Sequence, residues 1–112
     1  MSALYAMHYL GQTGVGMGTL YIGRGVIVGV DVANGRYSGT YTEEGGRMKA
    51  TATLSAPPGG GVTLVTGDQL SAGQSVPLTA DWPANFADGS AQEIMVMGRP
   101  VQVTFEKIGD VP

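Results

Sequence analysis

The stretch VGMGTLYIGRGVIVGVDVANGRYSGTYTEEGGRMKATATL, residues 15–54, decides the fold. It reads as four β-strands joined by three short turns, in which alternate side chains point to opposite faces. Taking Asn34-Gly35 as a two-residue hairpin turn sets Val32 against Tyr37, Val30 against Gly39 and Val28 against Tyr41, with Asp31 opposite Ser38 on the other, wet face. Counting on through Glu43-Glu44-Gly45-Gly46 as a four-residue loop sets Tyr41 against Met48, Gly39 against Ala50 and Tyr37 against Ala52. Counting back through Gly23-Arg24-Gly25 sets Ile22 against Val26, Leu20 against Val28 and Gly18 against Val30. The three turns agree on one apolar face, and a one-residue slip would turn a strand over.

Upstream, residues 2–10 form another strand, returned by Gly11-Gln12-Thr13-Gly14. With a four-residue loop, Tyr9, Met7 and Tyr5 lie over Gly16, Gly18 and Leu20 on the core face. Leu4, Ala6, His8 and Leu10 then point outward beside Tyr21, Thr19, Met17 and Val15, and Ile27 joins them. A soluble monomer rarely leaves so large an apolar patch bare. Either the C-terminal strands cover it or a second copy does. His8, Met17, Tyr21 and Ile27 mark the expected self-association face of a homodimer.

On the inward face, Gly18, Val30, Gly39 and Ala50 form a row of small residues across four strands. Glycine within a strand marks a bend or a close backbone approach, as a closing barrel requires. Either large side chains from the opposite wall fill that row, or a cavity stays open to a small apolar ligand. Tyr5, Tyr9, Tyr37 and Tyr41, with Gly18 and Gly39, would line it. Buried tyrosines need partners for their hydroxyls.

Downstream, Ala56-Pro57-Pro58-Gly59-Gly60-Gly61 interrupts the meander. Val62 to Val65 is a short strand or connector, and Ser75 to Ala80 a strand, with Pro77 suggesting an edge or bulge. Asp81 to Ala87 reads as one helical turn capped by Asp81, whose Trp82 and Phe86 could plug one end of a barrel. Gln92 to Met97 and Pro100 to Ile108 are the last strands, with Val101, Val103 and Phe105 alternating with polar neighbours. About eight strands at this spacing predict an all-β chain, a single up-and-down antiparallel β-barrel spanning residues 1–112 as one domain.

Composition narrows the function. The 112 residues are 43% hydrophobic and only 13% charged, with 19 glycines and a net charge of −3. Six Lys and Arg give no basic stripe, so direct nucleic-acid binding is not expected. No segment approaches the roughly 20 apolar residues of a membrane helix, and the N-terminus lacks a basic signal-peptide region, so a cytoplasmic protein is expected. Without cysteine there is no thiolate chemistry. His8 is the only histidine and the acids are scattered through turns, so neither a metal site, a cofactor site nor a catalytic constellation is expected. Gly14-Val15-Gly16-Met17-Gly18 lacks the helix that a dinucleotide fingerprint requires. Glu43 and Glu44 stand on a hairpin tip, either as a solvated turn or as an acidic knob that docks on a basic partner.

Gly23-Arg24-Gly25-Val26-Ile27-Val28-Gly29-Val30-Asp31, followed by Arg36-Tyr37-Ser38-Gly39-Thr40-Tyr41, resembles the GrlR-like family, named for a negative regulator of type III secretion genes. The likeness rests on Gly29-Val30-Asp31 and Tyr37-Ser38-Gly39, is clearest over residues 14–54, and has an echo in Pro100 to Phe105. It implies a lipocalin-like barrel, often dimeric, that regulates by binding a transcriptional activator rather than DNA. The family's founding member carries an acidic Glu-Asp-Glu-Asp hairpin for that contact. The matching place is Thr42 to Gly46, which has two acids, Glu43 and Glu44. Two functions therefore stand as expectations: a regulatory protein-binding barrel, or a lipocalin-style carrier or sensor of a small apolar ligand.

Overall fold

A computed structural model describes residues 2–11, 14–64 and 66–112. Ten strands are formed among them: β1 (Ser2–Gly11), β2 (Gly14–Gly23), β3 (Val26–Asp31), β4 (Arg36–Glu44), β5 (Arg47–Ser55), β6 (Val62–Thr63), β7 (Gln69–Leu70), β8 (Ser75–Pro83), β9 (Gln92–Val96) and β10 (Arg99–Asp110). Eight of them close an antiparallel barrel in the order β1-β10-β9-β8-β5-β4-β3-β2, and β6-β7 form a separate two-stranded flap. Each barrel strand neighbours the next in the chain once the flap is set aside, which is the up-and-down topology expected. Closure leaves no bare sheet edge.

The β1–β2 register holds as read, with Tyr9 paired to Gly16, Met7 to Gly18 and Tyr5 to Leu20. Of the turn assigned between them, Gln12 and Thr13 lie outside the described residues, as does Val65 of the expected Val62–Val65 strand. The β4–β5 pair keeps its expected face but slides by two residues, setting Tyr41 against Ala50, Gly39 against Ala52 and Tyr37 against Leu54. The cause is a tighter turn: Gly45 and Gly46 alone reverse the chain, both at positive φ (57° and 76°), as a two-residue hairpin with the sheet's own twist demands.

Strand β3 is turned over relative to the expectation. Gly18 pairs with Asp31, Leu20 with Gly29 and Ile22 with Ile27, while Gly29 meets Tyr37 and Val28 meets Ser38. Ile27, Gly29 and Asp31 therefore point inward, and Val26, Val28 and Val30 outward. Val30 and Tyr37 lie on opposite sides of the wall. Two local causes act. Arg24 and Gly25 (φ 53° and 80°) make a two-residue turn where three residues were counted. At the other end Asn34-Gly35 is not a two-residue turn. Residues 32–35 form a loop in which the Ala33 and Gly35 amides donate to Asp31 Oδ1 at 3.0 and 2.8 Å. Local side chain–backbone bonding of this kind competes with a simple hairpin.

The inward glycines are explained by curvature. A Cβ on Gly39 would lie 2.3 Å from the Thr51 carbonyl oxygen, and one on Gly29 2.3 Å from that of Thr19. The expected row of small residues does not form: Gly18 pairs with Asp31, Gly29 lies between Leu20 and Tyr37, and Gly39 between Ile27 and Ala52.

No helix occurs among the described residues, so none is long and apolar enough to cross a membrane. The expected helical turn at Asp81–Ala87 is instead the end of β8 followed by a turn, because Met48 and Lys49 of β5 continue pairing with Trp82 and Asp81. Trp82 and Phe86 still close one barrel end. They stack at 5.3 Å between ring centres, against Phe105 (4.8 and 5.3 Å), and Tyr5 adds a contact with Phe86 at 5.2 Å. The Trp82 indole N–H donates to the Glu93 carbonyl at 2.9 Å, so the plug buries no unpaired donor.

Candidate functional site: a capped cavity and an uncharged outer face

The barrel end opposite the aromatic plug is covered by the flap. Val62, Leu64, Thr66 and Leu70 are buried there, and Arg99 ties the flap down through Nη1 to the Thr66 carbonyl at 3.3 Å. Beneath lies a cavity of about 120 Å³. Its walls are mainly apolar, including Met7, Leu54, Leu78, Val96, Val101 and Val103. An eight-stranded barrel is just wide enough for side chains to fill, so a space of this size is what the small inward residues and the flap together leave over.

Besides Thr63 and Thr66 on the flap, one polar group set enters the cavity. Asp31, 8% exposed, accepts the Tyr37 hydroxyl on Oδ2 at 2.6 Å and the Tyr9 hydroxyl on the same oxygen at 3.0 Å. With the two amides on Oδ1, the carboxylate collects four donors. Gly35 is required by space: its Cβ would stand 2.8 Å from Asp31 Oδ2. Burial, reinforced by the bond to Asp31, raises the Tyr37 pKa far above the ordinary phenol range. Burial and the Asp31 charge push that of Tyr9 up to about 12. Both phenols therefore remain donors to Asp31 at neutral pH. Among the described residues the ion pairs are Arg47–Asp81, Arg99–Asp68 and Lys107–Asp110, and none involves Asp31. Its negative charge faces the cavity without a counter-charge.

Of the tyrosines and glycines expected to line a cavity, Tyr9 and Tyr37 do so. Tyr5 is buried in the aromatic plug, Tyr41 points inward but is not part of the cavity wall, and Gly18 and Gly39 are pressed against neighbouring backbone. Asp31, read from the sequence as an outward partner of Ser38, is the central polar group instead. The spacing Asp31-x-Ala33-Asn34-Gly35, an Asx-turn signature, was the available signal.

The outer face of the first three strands is apolar, as expected, with a corrected membership. Ile27 is buried at 5% exposure and leaves the set, while Val28 (54%) and Val32 (73%) enter it. His8 and Met17 are exposed and paired, and Tyr21 is half-buried between Leu4 and Val28. Across the strands run the rows Leu4–Tyr21–Val28, Ala6–Thr19–Val30 and Leu10–Val15. No Asp, Glu, Lys or Arg points outward from this face. Its borders are polar: Arg36, Ser38 and Thr40 on β4, and Gln102, Thr104 and Glu106 on β10. At its upper edge Tyr9, Val15, Gly16 and Val32 belong both to this surface and to the cavity mouth.

Glu43 and Glu44 are exposed at the plugged end, beside the Gly45-Gly46 turn. Glu44 pairs across the hairpin with Arg47, whose guanidinium is engaged by Asp81 at 3.0 Å. No group of three or more His, Asp or Glu side chains converges among the described residues. Comparisons with family profiles, with curated proteins and with solved structures each return no match.

Proposed function

We propose that this chain is a cytoplasmic, non-catalytic binding barrel that works through protein contact on the outer face of β1–β3, first of all with a second copy of itself. The observation that carries this reading is the uncharged stripe from Leu4 to Val32 with its polar borders, since apolar centre and polar rim is the anatomy of an interface. Strand spacing and rise give it about 400 Å² in plan, the size of the largest apolar patch on a typical monomer, which is often functional. The remaining strands present threonines, Lys49 and Glu93 outward, so the patch suits one partner surface rather than an encircling apolar solvent. The resemblance to the GrlR-like family supplies the regulatory sense: a transcriptional activator is the proposed second partner, met by Glu43 and Glu44. Charge reversal at both acids should then abolish that contact and leave self-association intact. Val28→Lys tests the face, because it places a charge at its centre without touching the core. It should give a monomer where Thr51→Lys, outward on β5, does not; equal behaviour of the two variants would refute the reading.

The capped cavity favours a second reading, a sensor of a small ligand. Lipid-sized cargo does not fit about 120 Å³, which lies well under the roughly 300 Å³ at which drug-sized pockets begin.

A further inference from the structure

We infer that the capped cavity is a site for a small alkylammonium ion, held by Asp31, Tyr9 and Tyr37; the inference rests on the ligand-sensor reading and names its ligand class. Size sets the first limit. An apolar cavity of about 150 Å³ takes a single benzene ring, so about 120 Å³ admits a branched alkyl group or small ring and nothing longer.

Hydrogen-bond accounting sets the second. Asp31 Oδ1 is occupied by the Ala33 and Gly35 amides, and Oδ2 by two hydroxyl protons. Each phenol has given its only proton to Asp31, so what Tyr9 and Tyr37 still offer the cavity is oxygen lone pairs. The polar corner accepts and cannot donate. At that corner a ligand bringing a carboxylate or phosphate would meet the like charge of Asp31. One bringing an N–H or O–H would be satisfied.

Charge sets the third. Asp31 is nine-tenths buried and has no ion-pair partner among the described residues. In a medium of low dielectric a charge without a partner is costly, and an opposite charge a few ångströms away is strongly attracted. An ammonium group supplies that charge together with donors for the free lone pairs of the two phenol oxygens. Its alkyl part would rest on Val96, Val101 and Val103. Val15, Gly16 and Val32 line both the cavity and the outer surface beside it.

Isobutylamine, isobutanol and isobutyrate share one apolar body and differ in the polar end. Titrating each into the full chain, with the Ala33 and Gly35 amide resonances as the readout, should show the amine binding in the millimolar range, at least about tenfold tighter than the alcohol, and no binding of the acid. Tyr9→Phe, which keeps the other three donors on Asp31, should weaken the amine and leave the alcohol's affinity within about twofold. Asp31→Asn should erase the amine's preference. If the alcohol or the acid binds as tightly as the amine, the ammonium assignment fails while a ligand cavity stands. If none of the three perturbs these amides, the cavity reading itself fails, and the outer-face function is untouched by either result.

Discussion

Tyr37→Phe removes one oxygen and, with it, the 2.6 Å bond to Asp31 Oδ2. Phenylalanine fills the same volume, so no cavity follows. What changes is that a buried carboxylate keeps three donors out of four. A hydrogen bond to a charged group contributes about 1.5–3 kcal/mol, and a buried partner left short suffers the larger part of it. The expected loss is therefore about 2 kcal/mol. With a urea m-value near 2 kcal/mol/M for a domain of this size, the midpoint should fall by roughly 1 M while the slope stays unchanged. Ser38→Ala is the matched control. Ser38 is exposed and lies opposite Val28, so its loss should move the midpoint by less than about 0.3 M. The register in which Asp31 faces outward toward Ser38 requires the reverse order. A Tyr37→Phe midpoint within error of the parent, with Ser38→Ala clearly destabilised, would refute the inward placement of Asp31 and with it the polar corner of the cavity.

Alkaline pH should unfold the barrel by the same groups. Burial raises the pKa of Tyr5, Tyr9 and Tyr37 above the ordinary value of 10.0, so above it the unfolded chain releases phenolic protons that the folded chain retains. Their contribution is complete below about pH 10, declines as pH rises toward about 12, where Tyr9 titrates, and keeps declining beyond for Tyr37. Urea midpoints should be level from neutrality to pH 10 and then drop, less steeply in Tyr37→Phe; a level profile through pH 11.5 would contradict this. Gly39→Ala would press a methyl group into the Thr51 carbonyl and Ala52, with an expected loss of about 1–3 kcal/mol. Gly59→Ala, with nothing within 4 Å, should be neutral in the same denaturation experiment.

Much of the barrel is legible in local patterns. The β1–β2 pairing follows from period-two alternation across one loop, and the aromatic plug from the bulk of Trp82 and Phe86 in a chain with few large side chains. The reversal of β3 was hidden because its three valines, Val26, Val28 and Val30, all stand on the outward phase, while Ile27, Gly29 and Asp31 take the inward one. Apolar alternation cannot choose between two such phases when the outer face is itself apolar. The deciding interactions join Asp31 to the amides two and four residues on and to phenols on β1 and β4, and only the amide part is local. The cavity was illegible for a related reason. It depends on Val62, Leu64 and Leu70 folding back over an open end from a connection whose strands are two residues each, too short to announce themselves by periodicity.

The outer face of β1–β3 can be tested without any variant. Sedimentation equilibrium of the unmodified chain across the micromolar range should give about 23 kDa, twice the 11.5 kDa of one copy, and Val15, Val28 and Val32 methyl resonances should lose solvent contact in step with that mass. A mass of 11.5 kDa that persists as concentration rises, with those valines fully solvated, would contradict self-association through this face.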